Sequence, residues 1–127
     1  MSVKDKTKSM EERATKSLKN NLEWIDPLIK QLESKNEKRR ENALQEIQDS
    51  PLEIATGKEF SGTKTYMILL GTGGPATRII GDLDKYDCPE TAQFQFQDWF
   101  EPWTDADQSS EEEEILISFA QQFYFGE

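Results

Sequence analysis

Histidine is absent from these 127 residues and cysteine occurs once, at Cys88, so the side chains that most often move protons or bind transition metals are nearly missing. Ser-His-Asp and Cys-His catalysis are thereby excluded. Cys88 lies beside Pro89 with Lys85 as its nearest cation in sequence, and reads as an inert loop thiol. Carboxylates are plentiful instead. Asp82 and Asp84 share one side of a strand end, and Asp98, Glu101, Asp105 and Asp107 follow the next strand. Such acids can hold a hard cation or work as an acid–base pair. Their spacing matches no EF-hand, however, and turn or cap aspartates are the commoner cause of such a cluster. No catalytic residue, metal site or cofactor is expected.

Two further features invite chemistry. Gly71-Thr72-Gly73-Gly74-Pro75 suggests a phosphate loop, yet a Walker-type loop ends in Gly-Lys-Ser/Thr and opens a helix. Here Pro75 and Ala76-Thr77-Arg78 lead into a strand, so a tight hairpin whose glycines supply positive φ is the better account. Arg78 is one of three cations beyond residue 60 and shares a strand side with Ile80, Asp82 and Asp84. A structural ion pair with one of those carboxylates is the plain expectation, and an anionic group of a ligand is the active alternative. The run Gln97-Asp98-Trp99-Phe100-Glu101-Pro102-Trp103-Thr104 mixes large rings with acids. Rings capping the core where sheet meets last helix are expected there, and Trp99 and Trp103 as exposed partner anchors are the alternative.

These residues need elements to position them. Met10, Ala14, Leu18, Leu22, Ile25, Ile29 and Leu32 form one helical stripe. Asp26-Pro27 interrupts it, so the pattern predicts a helix to about Trp24, a break or kink at Asp26, and a second helix from Pro27 to about Gln48. The stretch from Ser34 to Asn42 has no apolar residue, which means either a solvated section or a second break. Residues 1–8 read as a frayed or disordered start. Strands are predicted at Leu52–Ala55, Tyr66–Leu70, Ala76–Asp84 and Ala92–Trp99, with Thr56–Lys64 as loop. Tyr66–Leu70 is apolar at both parities and should be covered on both faces. In Ala92–Trp99, Phe94 and Phe96 alternate with Gln93, Gln95 and Gln97. Short connections favour an antiparallel meander. Ser109 or Ser110 can cap a last helix in a capping box with Glu112 or Glu113. That helix would pack through Leu116, Phe119, Ala120 and Phe123, with Gly126 as its stop. The expected fold is thus α+β: two N-terminal helices, a four-stranded antiparallel sheet and a C-terminal helix on the sheet. A helical segment over residues 1–50, a hairpin or coiled-coil-like, precedes an acidic domain over 51–127.

Charge is unevenly placed. Residues 1–60 carry 12 Lys+Arg against 12 Asp+Glu, whereas residues 61–127 carry 3 against 13, which holds the whole net charge of −10. Direct binding to nucleic acid or an anionic membrane is disfavoured, and a basic partner is favoured. A single cysteine permits no internal disulfide, and a reducing, cytoplasmic setting is expected. Neither a signal peptide nor a membrane span is legible.

The strings ILLGTGGPATRIIGDLD, QDWFEPWT and ISFAQQFYFGE, in that order, resemble a family of small proteins of bacteria, phages and plasmids that share TGGPA-R-I-G-LD, QDW-PWT and a terminal FYFGE. The resemblance covers about residues 52–127, and Gly71 stands where relatives often carry Cys. It implies an accessory or counter-defence role, such as that of anti-CRISPR proteins that inhibit a CRISPR effector nuclease. Residues and resemblance together lead to the expectation of a non-enzymatic acidic inhibitor that mimics nucleic acid. Asp82, Asp84, Asp98, Glu101, Asp105, Asp107, Glu111, Glu112, Glu113 and Glu114 would replace phosphates. A module dimerising through its N-terminal helices is one alternative, and a ligand- or metal-binding hydrolase-like domain around Arg78 is another.

Overall fold

The computed structural model describes residues 3–73 and 75–126, the first six by backbone alone. Met1 and Ser2 of the expected frayed start, Gly74 of the glycine turn and Glu127 of the terminal motif lie outside the described residues. The chain runs α1 (Val3–Gln31), α2 (Glu37–Asp49), β1 (Glu53–Lys58), β2 (Lys64–Gly71), β3 (Ala76–Asp82), β4 (Gln93–Gln97), β5 (Thr104–Asp105) and α3 (Ser110–Ala120). The strands form one antiparallel meander in the order β1-β2-β3-β4-β5.

The α+β class holds, with five strands where four were expected, because Thr104–Asp105 returns beside β4. β1 extends to Lys58, so the segment read as loop from Thr56 begins as strand and turns only over 59–63. β3 stops at Asp82, and beyond it Leu83 makes a single bridge to Pro89.

The helix break expected at Asp26 is not there. α1 passes through Pro27 unbroken, and the chain turns instead at 32–36. A proline inside a helix costs about 3 kcal/mol. The stripe offsets it: Ile25 and Leu28 flank Pro27 and are buried, with Leu22, Ile29 and Leu32 packed beside them, and each fully buried side chain of this size contributes roughly 1.5–3 kcal/mol. The true stop is the polar stretch after Leu32, where the Asn36 side chain caps α2 by accepting the Arg39 N–H at 3.1 Å. The same stripe removes the seam needed for a coiled-coil dimer. Met10, Ala14, Leu18 and Ile25 are buried in one core with Ile68, Ile79, Phe94 and Phe119, so that core crosses the boundary at residue 50.

The helices pack on the sheet face that carries Tyr66, Ile68, Ile79, Phe94 and Phe96. β2 was expected to be covered on both sides, but Met67 and Leu69, and beside them Arg78 and Ile80 of β3, are half-buried on the face away from the helices. A run of rings closes the covered side. Trp24 meets Phe119 edge-on at 5.8 Å, Phe119 meets Phe123 at 5.4 Å, and Phe125 lies 5.0 Å from Tyr66. α3 carries the expected Ser109–Glu112 capping box and buries Leu116, Phe119 and Ala120. It ends at Ala120 with Gln121 as C-cap, so Gly126 is not its stop, and the residues between fold Phe125 back into the core.

Gly81 is the position where close approach demands glycine. An added Cβ would sit 2.1 Å from the Thr91 carbonyl oxygen and 2.7 Å from the Tyr66 ring. That gap lets the Tyr66 hydroxyl donate to the Thr91 carbonyl at 2.6 Å. Burial pushes the phenol up from its ordinary range, and the carboxylates of Glu113 and Asp82 push the same way.

Candidate interaction surface

The connection between β4 and β5 combines exposed rings with a dense set of side-chain hydrogen bonds. Each glutamine of the QFQFQ strand fastens the returning chain. Gln93 Nε2 donates to the Ala106 carbonyl at 2.9 Å, Gln95 Nε2 to Asp105 Oδ1 at 2.7 Å, and Gln97 Nε2 to the Glu101 carbonyl at 3.0 Å. Gln108 bridges back, accepting the Phe94 N–H at 3.0 Å and donating to the Ala92 carbonyl at 2.7 Å. These glutamines lie on the side opposite Phe94 and Phe96, as the alternation predicted, but that side is not simply solvated. Gln95 is in fact 9% exposed, because its amide is satisfied on both sides by Arg78 and Asp105.

Arg78 departs from its expected ion pair. Its Nε donates to Gln95 Oε1 at 2.7 Å, and its guanidinium lies 4.0 Å from the centre of the Trp103 ring. Burial lowers the arginine from its ordinary value and Asp105, reached through Gln95, acts the other way. Arg78 therefore clamps the connection onto the sheet face away from the helices. Trp103 is half-buried in that clamp and neither caps the core nor stands free; Trp24 takes the core-capping role.

The other end is clamped from α1. Asp98 Oδ2 accepts Arg13 Nη1 at 2.8 Å, and the same guanidinium lies 5.1 Å from the centre of the Phe96 ring. Asp98 Oδ1 accepts the Trp99 N–H at 2.9 Å, and the Glu101 N–H donates to the Asp98 carbonyl at 3.0 Å, closing a four-residue turn. The bond from Arg13, and then that from the Trp99 N–H, holds the Asp98 carboxyl below its usual range.

At the third position of this turn Phe100 has φ of +59°, and its side chain is fully exposed. Left-handed backbone costs a non-glycine residue about 1–2 kcal/mol. Trp99, 64% exposed, lies beside it with ring centres 6.2 Å apart. Trp99 and Trp103 are the anchors expected from the sequence; Phe100 stands in the same ring-rich run, but no glycine marks its left-handed conformation. Arg13, lying 85 residues from its partner, left no signal either.

The acids do not gather into one patch. Asp98, Glu101 and Asp105 belong to this connection, whereas Asp82 is the last residue of β3 and Asp84 follows it, at the strand end about 20 Å by strand rise from Ala76, which pairs with Gln97. Asp84 organises its own loop, its Oδ1 accepting the N–H groups of Tyr86 and Cys88. On α3, Glu112 completes the capping box and pairs with Lys19, while Glu113 accepts the Ala92 N–H at 3.2 Å. Burial works to raise the Glu112 carboxyl, but Lys19 and the Ser109 N–H outweigh it and hold it low. Asp107, Glu111 and Glu114 are exposed. Among the described residues no group of three or more His, Cys, Asp or Glu side chains is placed to hold a metal ion, and no helix is long and apolar enough to cross a membrane.

Set against protein-family models, curated proteins and solved structures, the chain gives no match in any of the three comparisons.

Proposed function

We propose that this chain is a non-enzymatic inhibitor that binds a basic, nucleic-acid-handling protein, with a CRISPR effector nuclease as the specific target class. The observation that carries this reading is the charge of residues 61–127, three cations against 13 acids, on a body whose connection after β4 presents rings and carboxylates together. A groove built to hold phosphates attracts such a body from a distance, giving fast and salt-sensitive association. Exposed Asp105, Asp107, Glu111 and Glu114 take the place of phosphates at the contact. The resemblance to small proteins of mobile elements supports the target class. Binding of this kind needs no cofactor and no direct contact with nucleic acid, and its setting is the cytoplasm where the nuclease works.

The test uses a purified, guide-loaded effector nuclease. Association measured by biolayer interferometry is expected to weaken at least tenfold between about 50 and 500 mM salt, since screening shortens to a few ångströms. Target DNA should compete for the same surface. Cleavage at full rate with the protein in saturating excess would remove this function.

A further inference from the structure

The Asp98–Glu101 turn combines three features that folding alone does not require. Its third residue holds a left-handed backbone that favours glycine, yet carries phenylalanine. That ring is fully exposed beside a largely exposed tryptophan, so neither gains burial in return for its placement. The backbone beneath is fixed from both sides: Arg13 and the Trp99 N–H hold Asp98, and Gln97 holds the Glu101 carbonyl. Strain retained under rigid support belongs to recognition and active sites. Two rings on a rigid turn present large apolar area with little ordering left to lose on binding. The surrounding charge selects the partner. Glu101 and Asp105 follow the rings, the adjacent Arg13 is paired with Asp98, and Arg78 is turned away into its clamp with Gln95 and Trp103.

We infer that the Asp98–Glu101 turn is a preformed recognition knob. Phe100 and Trp99 seat in an apolar cleft of a protein target, with Glu101 and Asp105 meeting lysine or arginine at the cleft's rim. This rests on the reading above that the chain binds a basic protein, and it adds where and through which groups. Phe100 then acts as the central anchor, shielded from water by Trp99.

The experiment has two arms, each run with wild type and Phe100→Gly. Glycine suits the left-handed position, so the variant keeps the turn and the fold. In the first arm, affinity for the guide-loaded effector nuclease is expected to fall roughly 30-fold or more, the loss typical of a truncated hot-spot ring. In the second arm, tryptophan fluorescence follows titration with per-amino β-cyclodextrin, an apolar cup with an ammonium rim, against the neutral cup. Wild type is expected to prefer the cationic cup by roughly fivefold, and Phe100→Gly to lose binding to both. If the nuclease binds both forms equally, or wild type shows no preference for the cationic cup, the knob is overturned. If wild type fails to bind the nuclease yet keeps its cup preference, the nuclease reading falls and the knob stands for another basic protein.

Discussion

The connections that enter and leave β4 are built from similar parts and do opposite things with them. Each contains acids, exposed aromatic chemistry (Tyr86 alone in the first, Trp99 and Phe100 in the second) and one non-glycine residue of positive φ: Asp87 at 63° in the first and Phe100 at 59° in the second. In the first, polar groups are satisfied within the loop and by the adjoining start of β2. Asp84 accepts two N–H groups through its side chain, its own N–H donates to the Cys88 carbonyl at 2.8 Å, and Asp87 pairs with Lys64 at 2.9 Å. The left-handed position falls to an aspartate, a residue that tolerates it. In the second, an aspartate again closes the turn, but the left-handed position falls to a ring that nothing in the chain covers. The same acid chemistry thus serves folding in both loops, and what separates them is where the aromatic is placed.

The largest effect expected from breaking this contrast lies where the first loop meets the core. Gly81→Ala drives a methyl into the Thr91 carbonyl, and urea denaturation should show a loss of about 3 kcal/mol or more, at the upper end of overpacking penalties. Asp84→Ala removes one acceptor from two N–H groups, and the same measurement should show about 1–2 kcal/mol lost. The glycine pair is the sharpest comparison. Phe100→Gly should raise stability by about 1 kcal/mol through relief of left-handed strain, while Asp87→Gly should stay within about 0.5 kcal/mol of wild type. Equal shifts for the two would collapse the distinction between the loops.

The smallest effect is a pH dependence. The folded value of Asp98 lies below its ordinary 3.8, so as pH falls the unfolded chain takes up the proton first. The contribution of the Arg13 pair is complete above the unfolded value and is lost as pH falls through the folded one. Wild type should therefore lose stability more steeply below that ordinary value than Asp98→Asn, as thermal unfolding across acidic buffers would register.

The parts of this molecule legible in the sequence are those fixed by local pattern. The stripe from Met10 to Leu32, the Phe94–Phe96 alternation and the Ser109–Glu112 capping box are written in neighbouring residues, and each appears as expected. The break misplaced at Asp26 shows a local signal overridden, since burying Ile25 and Leu28 outweighs one missing N–H. β5 is two residues long, held at Asp105 by the Gln95 side chain and just beyond it by Gln93 on the Ala106 carbonyl, below any periodicity a sequence can show. The clamps at Arg13–Asp98 and Arg78–Trp103 join residues far apart in the chain, so the tryptophans could not be told from core rings beforehand.

The three bonds from α1 to the far end of the chain have a consequence for how the protein is made. Arg13 reaches Asp98, Thr15 reaches the Asp107 N–H, and Lys19 reaches Glu112, over sequence separations of 85, 92 and 93 residues. At roughly 5–20 residues per second, the ribosome needs about 3–16 s to supply these partners after α1 has been polymerised. Until that interval ends, Leu18, Ile25 and Leu28 lack part of the core they share with Phe94, Leu116 and Phe119. Vectorial synthesis thus leaves the apolar stripe of α1 short of its full cover until the last strand and helix emerge, so the closing of this fold waits on translation of its acidic end.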